Sequence, residues 1–299
     1  MLIRKKFFDL VIKFSNHLKN QVSESFEKQI VIQSLINQNL NSQASLLSDK
    51  NNITVSLTTF GKRIDDVYLA VESIAKQTLK PNRVILWLSK DEFFNKKLPI
   101  TLANLEKRGL EIKYCRDLKS YNKIIPTIKE CPNDLIITID DDIIYNFDLI
   151  EILYKNYLND PTIIYCGSAK IMKINDRRVF DYNSWQKIEG KSDASLLNFA
   201  LGFSGVLYFP GCFDDEVLNE QKLLELAPSA DDVWLKAMSL INGVSVKSVK
   251  SEFAKSSSFI PLGIAQADSL SITNVIMGKN NIQLSNIFTE YNCYEVFDK

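Results

Sequence analysis

The sequence predicts an α/β domain with a mostly parallel central sheet flanked by helices, preceded by an N-terminal helical extension. Three observations carry this. Strand-like and helix-like segments alternate from Ile53 onward. The run LIITI at 135–139 is apolar with no polar alternation, the pattern of a strand covered on both faces. No Pro/Gly-rich linker and no repeat interrupts Ile53 to Val249, which makes that stretch one domain. The organisation expected is an extension at 1–50, a catalytic-type domain at 51–250 and a C-terminal segment at 251–299 packing on it.

In order, Met1 to Asn20 carries Arg4, Lys5 and Lys6 and then Phe7, Phe8, Val11, Ile12 and Leu18 at helical spacing. It is too charged for a signal-peptide core. It reads as an amphipathic helix that rests on an anionic membrane or packs on its own domain or another subunit. Gln21 to Lys50 is a helical or partly ordered lead-in. ITVSL from Ile53 is the first strand and ends in Thr58, Thr59, Phe60 and Gly61. Asp65 is placed to cap a helix whose buried stripe is Val67, Ala70, Val71, Ile74 and Ala75, and Val84 to Leu88 is the second strand. Strand, helix, strand at this spacing is a βαβ unit, whose right-handed crossover builds a parallel sheet.

The pattern continues through a helix near Leu98 to Arg108, a strand at Glu111 to Tyr114, and YNKIIPTIKEC at 121–131, where Pro126 must lie in a first helical turn. After the central strand, Asn146 is placed to cap a helix with Leu149, Ile152, Leu153 and Tyr157 inward. Ile163 to Cys166 and Val206 to Phe209 read as strands, and Asp231 to Ile241 as a helix.

Composition excludes several function classes. Lys plus Arg and Asp plus Glu are 36 each, so no global field recruits nucleic acid. The five cysteines are scattered without CxxC spacing, which argues against a disulfide framework or zinc site and for a reducing, cytoplasmic compartment. The single histidine, His17, lies far from every motif, so a histidine-based nucleophile arrangement is disfavoured. No window approaches the ~18 apolar residues a spanning helix needs.

The chemistry gathers at 135–145, LIITIDDDIIY, where the buried strand runs into Asp140, Asp141 and Asp142. In open α/β sheets the carboxyl edge is where ligands bind. If the chain stays extended, Asp140 and Asp142 project together and Asp141 points away. Adjacent carboxylates call for a counter-charge, and an all-oxygen ligand set suits Mn²⁺ or Mg²⁺. Arg63 and Lys123 are the basic residues that the topology brings nearest that edge, where they face a diphosphate. TTFGKR after the first strand has neither GxGxxG nor GxxxxGK[ST]. LGFSGVLYFPGC at 201–212 sets Gly202 and Gly205 around Ser204, permitting unusual backbone angles or the close approach of a ligand. ADDVWL at 230–235 puts Asp231 and Asp232 at a helix start, where one caps and the other points out.

This order of features resembles a glycosyltransferase of GT-A fold, similar to the family 2-like enzymes that build bacterial surface polysaccharides such as capsules, over about Asn52 to Val249. The resemblance implies transfer of a sugar, hexosyl in type, from a nucleoside-diphosphate sugar to a hydroxyl of a glycan or lipid-linked glycan acceptor, metal-dependent and inverting. It implies that Asp142 coordinates the metal with Asp140, and that Thr58, Thr59, Asp140 and Asp141 line the nucleotide-sugar pocket. Gly202, Ser204 and Gly205 are then expected at the acceptor, with Asp232, next to Asp231, as catalytic base. Two departures stand out. Leu88 is followed by Ser89 and Lys90 where such enzymes close the second strand with an aspartate for the nucleobase, and no histidine follows His17.

The rival readings are a haloacid-dehalogenase-type phosphatase, which shares an acid motif after a strand but wants Thr or Val where Ile144 stands; a nucleotidyltransferase, for which the first loop is poor; and a non-enzymatic acidic cation-binding module. The scattered cysteines and the basic amphipathic segment at Met1 to Asn20 together lead to the expectation of a cytoplasmic protein, peripheral on the inner membrane face or self-associating through its N-terminal helix.

Overall fold

The computed structural model describes residues 23, 25–176, 178–188, 190–250, 259–262, 274 and 278–297. The amphipathic helix expected at Met1 to Asn20 lies outside them. The chain divides into two units, Met1–Ser42 and Gln43–Lys299. The first contributes helix α1 over 25–41. Residues 43–50 belong to the second unit, not to the extension: Leu46 is fully buried and its amide donates to the Arg108 carbonyl at 2.9 Å.

In the second unit β1 (Ile53–Thr58), α2 (Val67–Ala75), β2 (Arg83–Ser89), α3 (Lys90–Phe93), α4 (Ile100–Glu106) and β3 (Leu110–Cys115) complete two parallel crossovers. Then come α5 (Ile125–Glu130), β4 (Leu135–Thr138), β5 (Ile143–Tyr145), α6 (Leu149–Asn159) and β6 (Ile164–Cys166). The short strands β7 (Ala169–Ile171), β8 (Ile174–Asn175), β9 (Arg178–Val179), β10 (Gln186–Lys187) and β11 (Asn198–Ala200) lead to β12 (Val206–Tyr208). Helices α7 (Glu220–Leu226) and α8 (Asp231–Ile241), strands β13 (Val246–Ser248) and β14 (Phe259–Pro261), and helix α9 (Lys279–Glu290) follow.

The main sheet has seven strands in the order β13-β6-β12-β4-β1-β2-β3, parallel throughout except β12. Both faces are covered, as the apolar run predicts. Leu135 and Ile137 enter the core that holds Val71, Ile74, Leu102 and Leu153, while Ile136 enters the opposite core with Val206, Trp234 and Phe288. A buried ion pair, Arg108 to Glu72 at 2.5 Å, joins α2 to the end of the α4 turn.

The antiparallel strand positions the site. Val206 pairs with Thr138, so β12 starts at the same sheet edge where β4 ends, and the loop preceding it stands beside the acids. After them the chain turns, and β5 pairs with β14 as Tyr145↔Phe259 and Ile143↔Pro261, with the Leu262 amide donating to the Asp142 carbonyl at 2.8 Å.

Pro126 sits in the first turn of α5, as expected. The capping expectations fail. The residue before α2 is Asp66, Asp65 ending a 3₁₀ turn, and the residue before α6 is Asp148; neither caps with its side chain. Asn146 instead donates to the Asp148 carboxylate at 2.7 Å. Among the described residues no helix is long and apolar enough to cross a membrane.

Candidate active site

The acids do not alternate as an extended strand would. Strand geometry ends at Thr138 and the chain turns at Asp141 and Asp142. Asp141 and Asp142 therefore face one cation together: Arg63 Nη1 lies 2.9 Å from Asp141 Oδ1 and 3.2 Å from Asp142 Oδ2. Asp140 goes elsewhere, accepting from Lys123 Nζ at 2.7 Å. Asp141 is 6 % exposed and also accepts from Thr59 Oγ1 at 2.6 Å. Burial raises its pKa, against the pull of Arg63 and Thr59. Burial, then Asp140 and Asp141, push the Asp142 carboxyl to about 6, with Arg63 opposing.

Lys123 lies in the 3₁₀ turn before α5 and bridges two acid groups. Besides Asp140 it faces Asp231 Oδ2 at 3.0 Å, a charge contact without hydrogen-bond alignment. Burial alone would lower its pKa, but Asp140, Asp231 and Asp232 outweigh that and hold it well above the ordinary lysine value.

Asp231 and Asp232 open α8, where the helix dipole favours negative charge. Neither is the cap; the residue before the helix is Ala230. Asp231 points inward to Lys123. Asp232 is half-buried and its Oδ2 accepts the Gly202 amide at 3.0 Å. Burial, then Asp231, push its carboxyl to about 7, against Lys123 and the Gly202 N–H. The Gly202 loop approaches so closely that a Cβ there would lie 2.4 Å from Asp232 Oδ1.

Other expected residues have structural duties. Ser204 is fully buried and its hydroxyl bonds the Leu201 carbonyl at 2.6 Å and the Ser168 amide at 2.9 Å, so it does not meet an acceptor. Gly205 is buried at φ +76, and a Cβ would strike Leu149 at 2.7 Å; the turn requires glycine for its own geometry. Thr58 spends its hydroxyl on the Trp87 carbonyl at 2.8 Å. The structure thus brings together Arg63, Thr59, Lys123, Asp140, Asp141, Asp142, Asp231, Asp232 and Gly202.

Sequence reasoning missed the tyrosines around this cluster. Tyr121 donates to the Ala227 carbonyl at 2.7 Å, holding the turn before α8. Tyr182 and Tyr208 are raised by burial and next by the charge of Asp232, which marks them as its neighbours. Tyr145 bonds the Asp140 amide. For Tyr145 and Tyr208 the available signal was a tyrosine at the end of an apolar run, since a buried phenol needs a polar partner; Tyr121 and Tyr182 stand among polar residues and carry no such signal.

Among the described residues no three His, Cys, Asp or Glu side chains form a ready-made metal cage. The donor set nevertheless fits a hard cation held by one or two carboxylates with water and substrate oxygens. Five carboxylates, Asp140, Asp141, Asp142, Asp231 and Asp232, stand against two cations, Arg63 and Lys123, so the cluster keeps an excess of negative charge, and Asp142, which shares Arg63 with Asp141, is pushed up to about 6.

No protein-family model and no curated protein sequence matches the chain. Among solved structures it is similar to S. aureus TarS 1–349 in complex with UDP, with a TM-score of 0.44 and 15% identity over 70% of this chain. The chain spans 59% of that one. A second structure of S. aureus TarS 1–349 gives a TM-score of 0.45 and 14% identity over 80% of this chain and 72% of that one. At TM-scores below 0.5 such a likeness assigns nothing to the site.

Proposed function

We propose that the chain is a GT-A, family 2-like glycosyltransferase, moving a sugar from a nucleoside diphosphate to a hydroxyl of a glycan or lipid-linked glycan in surface polysaccharide assembly. The observation that carries this reading is Asp232: a half-buried carboxyl at about 7, fixed by the Gly202 amide, on the same sheet edge as a turn of three acids with two cations.

Each residue has a role that its surroundings support. With Oδ2 held by Gly202, Asp232 takes the acceptor proton on Oδ1, and a pKa near neutrality suits a general base. Arg63 and Lys123 supply positive charge beside the diphosphate as negative charge develops on it. Thr59 and Arg63 keep Asp141 in place. Asp142, with Asp140, is the proposed holder of Mn²⁺ or Mg²⁺, which when bound supplies further charge stabilisation to the leaving group. One base on the face opposite the leaving group gives inversion. The N-terminal helix expected at Met1 to Asn20 is proposed to keep the enzyme against the inner membrane face or a second subunit.

The test is a thermal-shift series with UDP, GDP and their sugars, with and without Mn²⁺, followed by transfer to a soluble acceptor. A ligand that binds the folded chain raises its Tm by mass action. Absence of any nucleotide-dependent shift, together with phosphate release from a generic monoester, would overturn the reading in favour of a phosphatase.

A further inference from the structure

Tyr145 closes β5, five residues after Asp140, and is 4 % exposed. Its hydroxyl accepts the Asp140 amide at 2.8 Å and donates to the Phe203 carbonyl at 2.9 Å. Asp140 opens the acid turn. Phe203 lies between Gly202, whose amide holds Asp232, and the buried Ser204. One phenol oxygen is therefore the direct link between the turn that faces the donor and the loop that holds the base.

The link is stiff. A tyrosine has only two side-chain torsions, and this one is held at its backbone and at its ring. The Tyr145 amide donates to Ser73 Oγ at 3.1 Å. Phe259 of β14 sets its ring edge-on to Tyr145 at 5.9 Å and edge-on to Phe203 at 5.7 Å. Gly167 makes room for this: a Cβ there would lie 2.4 Å from the Ser204 carbonyl and 2.6 Å from Phe259.

We propose that Tyr145 is a positioning residue whose hydroxyl keys the Asp140–Asp142 turn to the Gly202–Gly205 loop, fixing the distance between the donor-side charges and Asp232. Its catalytic consequence rests on the glycosyltransferase reading; its mechanical consequence does not. Without the hydroxyl, the Asp140 amide and the Phe203 carbonyl both lose their partner, and only a shift of turn or loop restores one.

The experiment compares the full chain with Tyr145→Phe and, as a control, Tyr165→Phe, which removes a hydroxyl bonded to the Asp160 carbonyl at 3.1 Å. Amide hydrogen exchange is followed in segments 138–146 and 199–206, alongside kcat and the donor KM. In Tyr145→Phe both segments are expected to exchange about tenfold faster. Its kcat should fall about tenfold with donor KM changed less than about threefold, while the control moves neither. Phe259→Leu keeps the hydroxyl but loosens the ring, moves the same two segments by a smaller factor, and decides the matter should Tyr145→Phe not fold. Unchanged exchange at 199–206, or a kcat no lower than the control's, overturns the proposal. A wild-type chain that transfers no sugar but shows the paired exchange response overturns the glycosyltransferase reading and leaves the mechanical link standing.

Discussion

Gly202 and Asp232 are in mutual contact in two ways: the glycine amide donates to one carboxylate oxygen at 3.0 Å, and the glycine Cα leaves room for the other where a methyl would intrude to 2.4 Å. Gly202 does not have positive φ, so alanine is tolerated by the backbone itself and acts on Asp232 alone. Gly202→Ala is expected to lower kcat by about 10²-fold, the worth of a displaced general base, with a small change in Tm. Steady-state kinetics beside a melting curve checks both halves.

Asp232→Asn keeps size and the Gly202 contact but takes no proton. Turnover should fall by on the order of 10² or more while nucleotide binding, read by calorimetry, persists. Asp231→Asn should behave differently, because Asp231 faces Lys123 at 3.0 Å: it alters the charge around the donor and weakens nucleotide affinity.

The pH dependence follows from the same carboxyl. A base at about 7 makes kcat climb with pH up to about 7 and level off above, and Asp232→Asn removes that limb. Stability runs the opposite way. Folding raises this group from 3.8, so between 3.8 and about 7 the folded chain holds more protons than the unfolded one, and stability drops as pH rises across that window. Asp232→Asn should therefore melt higher than wild type at pH 8 and converge with it near pH 4.

Asp142→Asn should weaken metal-dependent nucleotide binding while leaving the fold intact, since the Asp142 side chain faces Arg63 and not the core. Isothermal titration of UDP and GDP with and without chelator reads this. Equal affinity in all four combinations of protein and chelator would remove the metal from the site.

Arg108→Met strips the cation from Glu72, whose side chain has no exposure. A broken buried pair costs about 3–5 kcal/mol, and replacing both partners with apolar residues recovers most of it. Urea unfolding of the single and double variants measures the difference.

The sheet was legible because its strands are rich in apolar residues: ITVSL and VILWL send Ile53, Val55, Leu57, Val84, Leu86 and Leu88 into one core, and LIITI reaches both, with Leu135, Ile137 and Ile139 on that side and Ile136 on the other. The acids were legible as a site for the same reason, since carboxylates directly after such a run must sit at its carboxyl edge. Their directions were not. Asp140 parts from Asp142 because the chain turns, and that turn is held by Leu262 and Tyr145, contacts without a local signature. The strands between Ala169 and Ala200 are two or three residues long and partly polar, too short for periodicity to register. Lys123, followed directly by Ile124 and Ile125, carried a readable hint of burial; its bridging of Asp140 and Asp231 needed the fold.

The β5–β14 pairing gives the chain an order of assembly. Strands β1 to β4 are all present once residue 138 has left the ribosome, yet the carbonyl of Asp142 finds its partner only when Leu262 arrives. Closing so long a loop is entropically slow to reward. The turn that carries the acids is thus closed by a pairing whose second strand follows the segments bearing Lys123, Gly202 and Asp232 in the sequence.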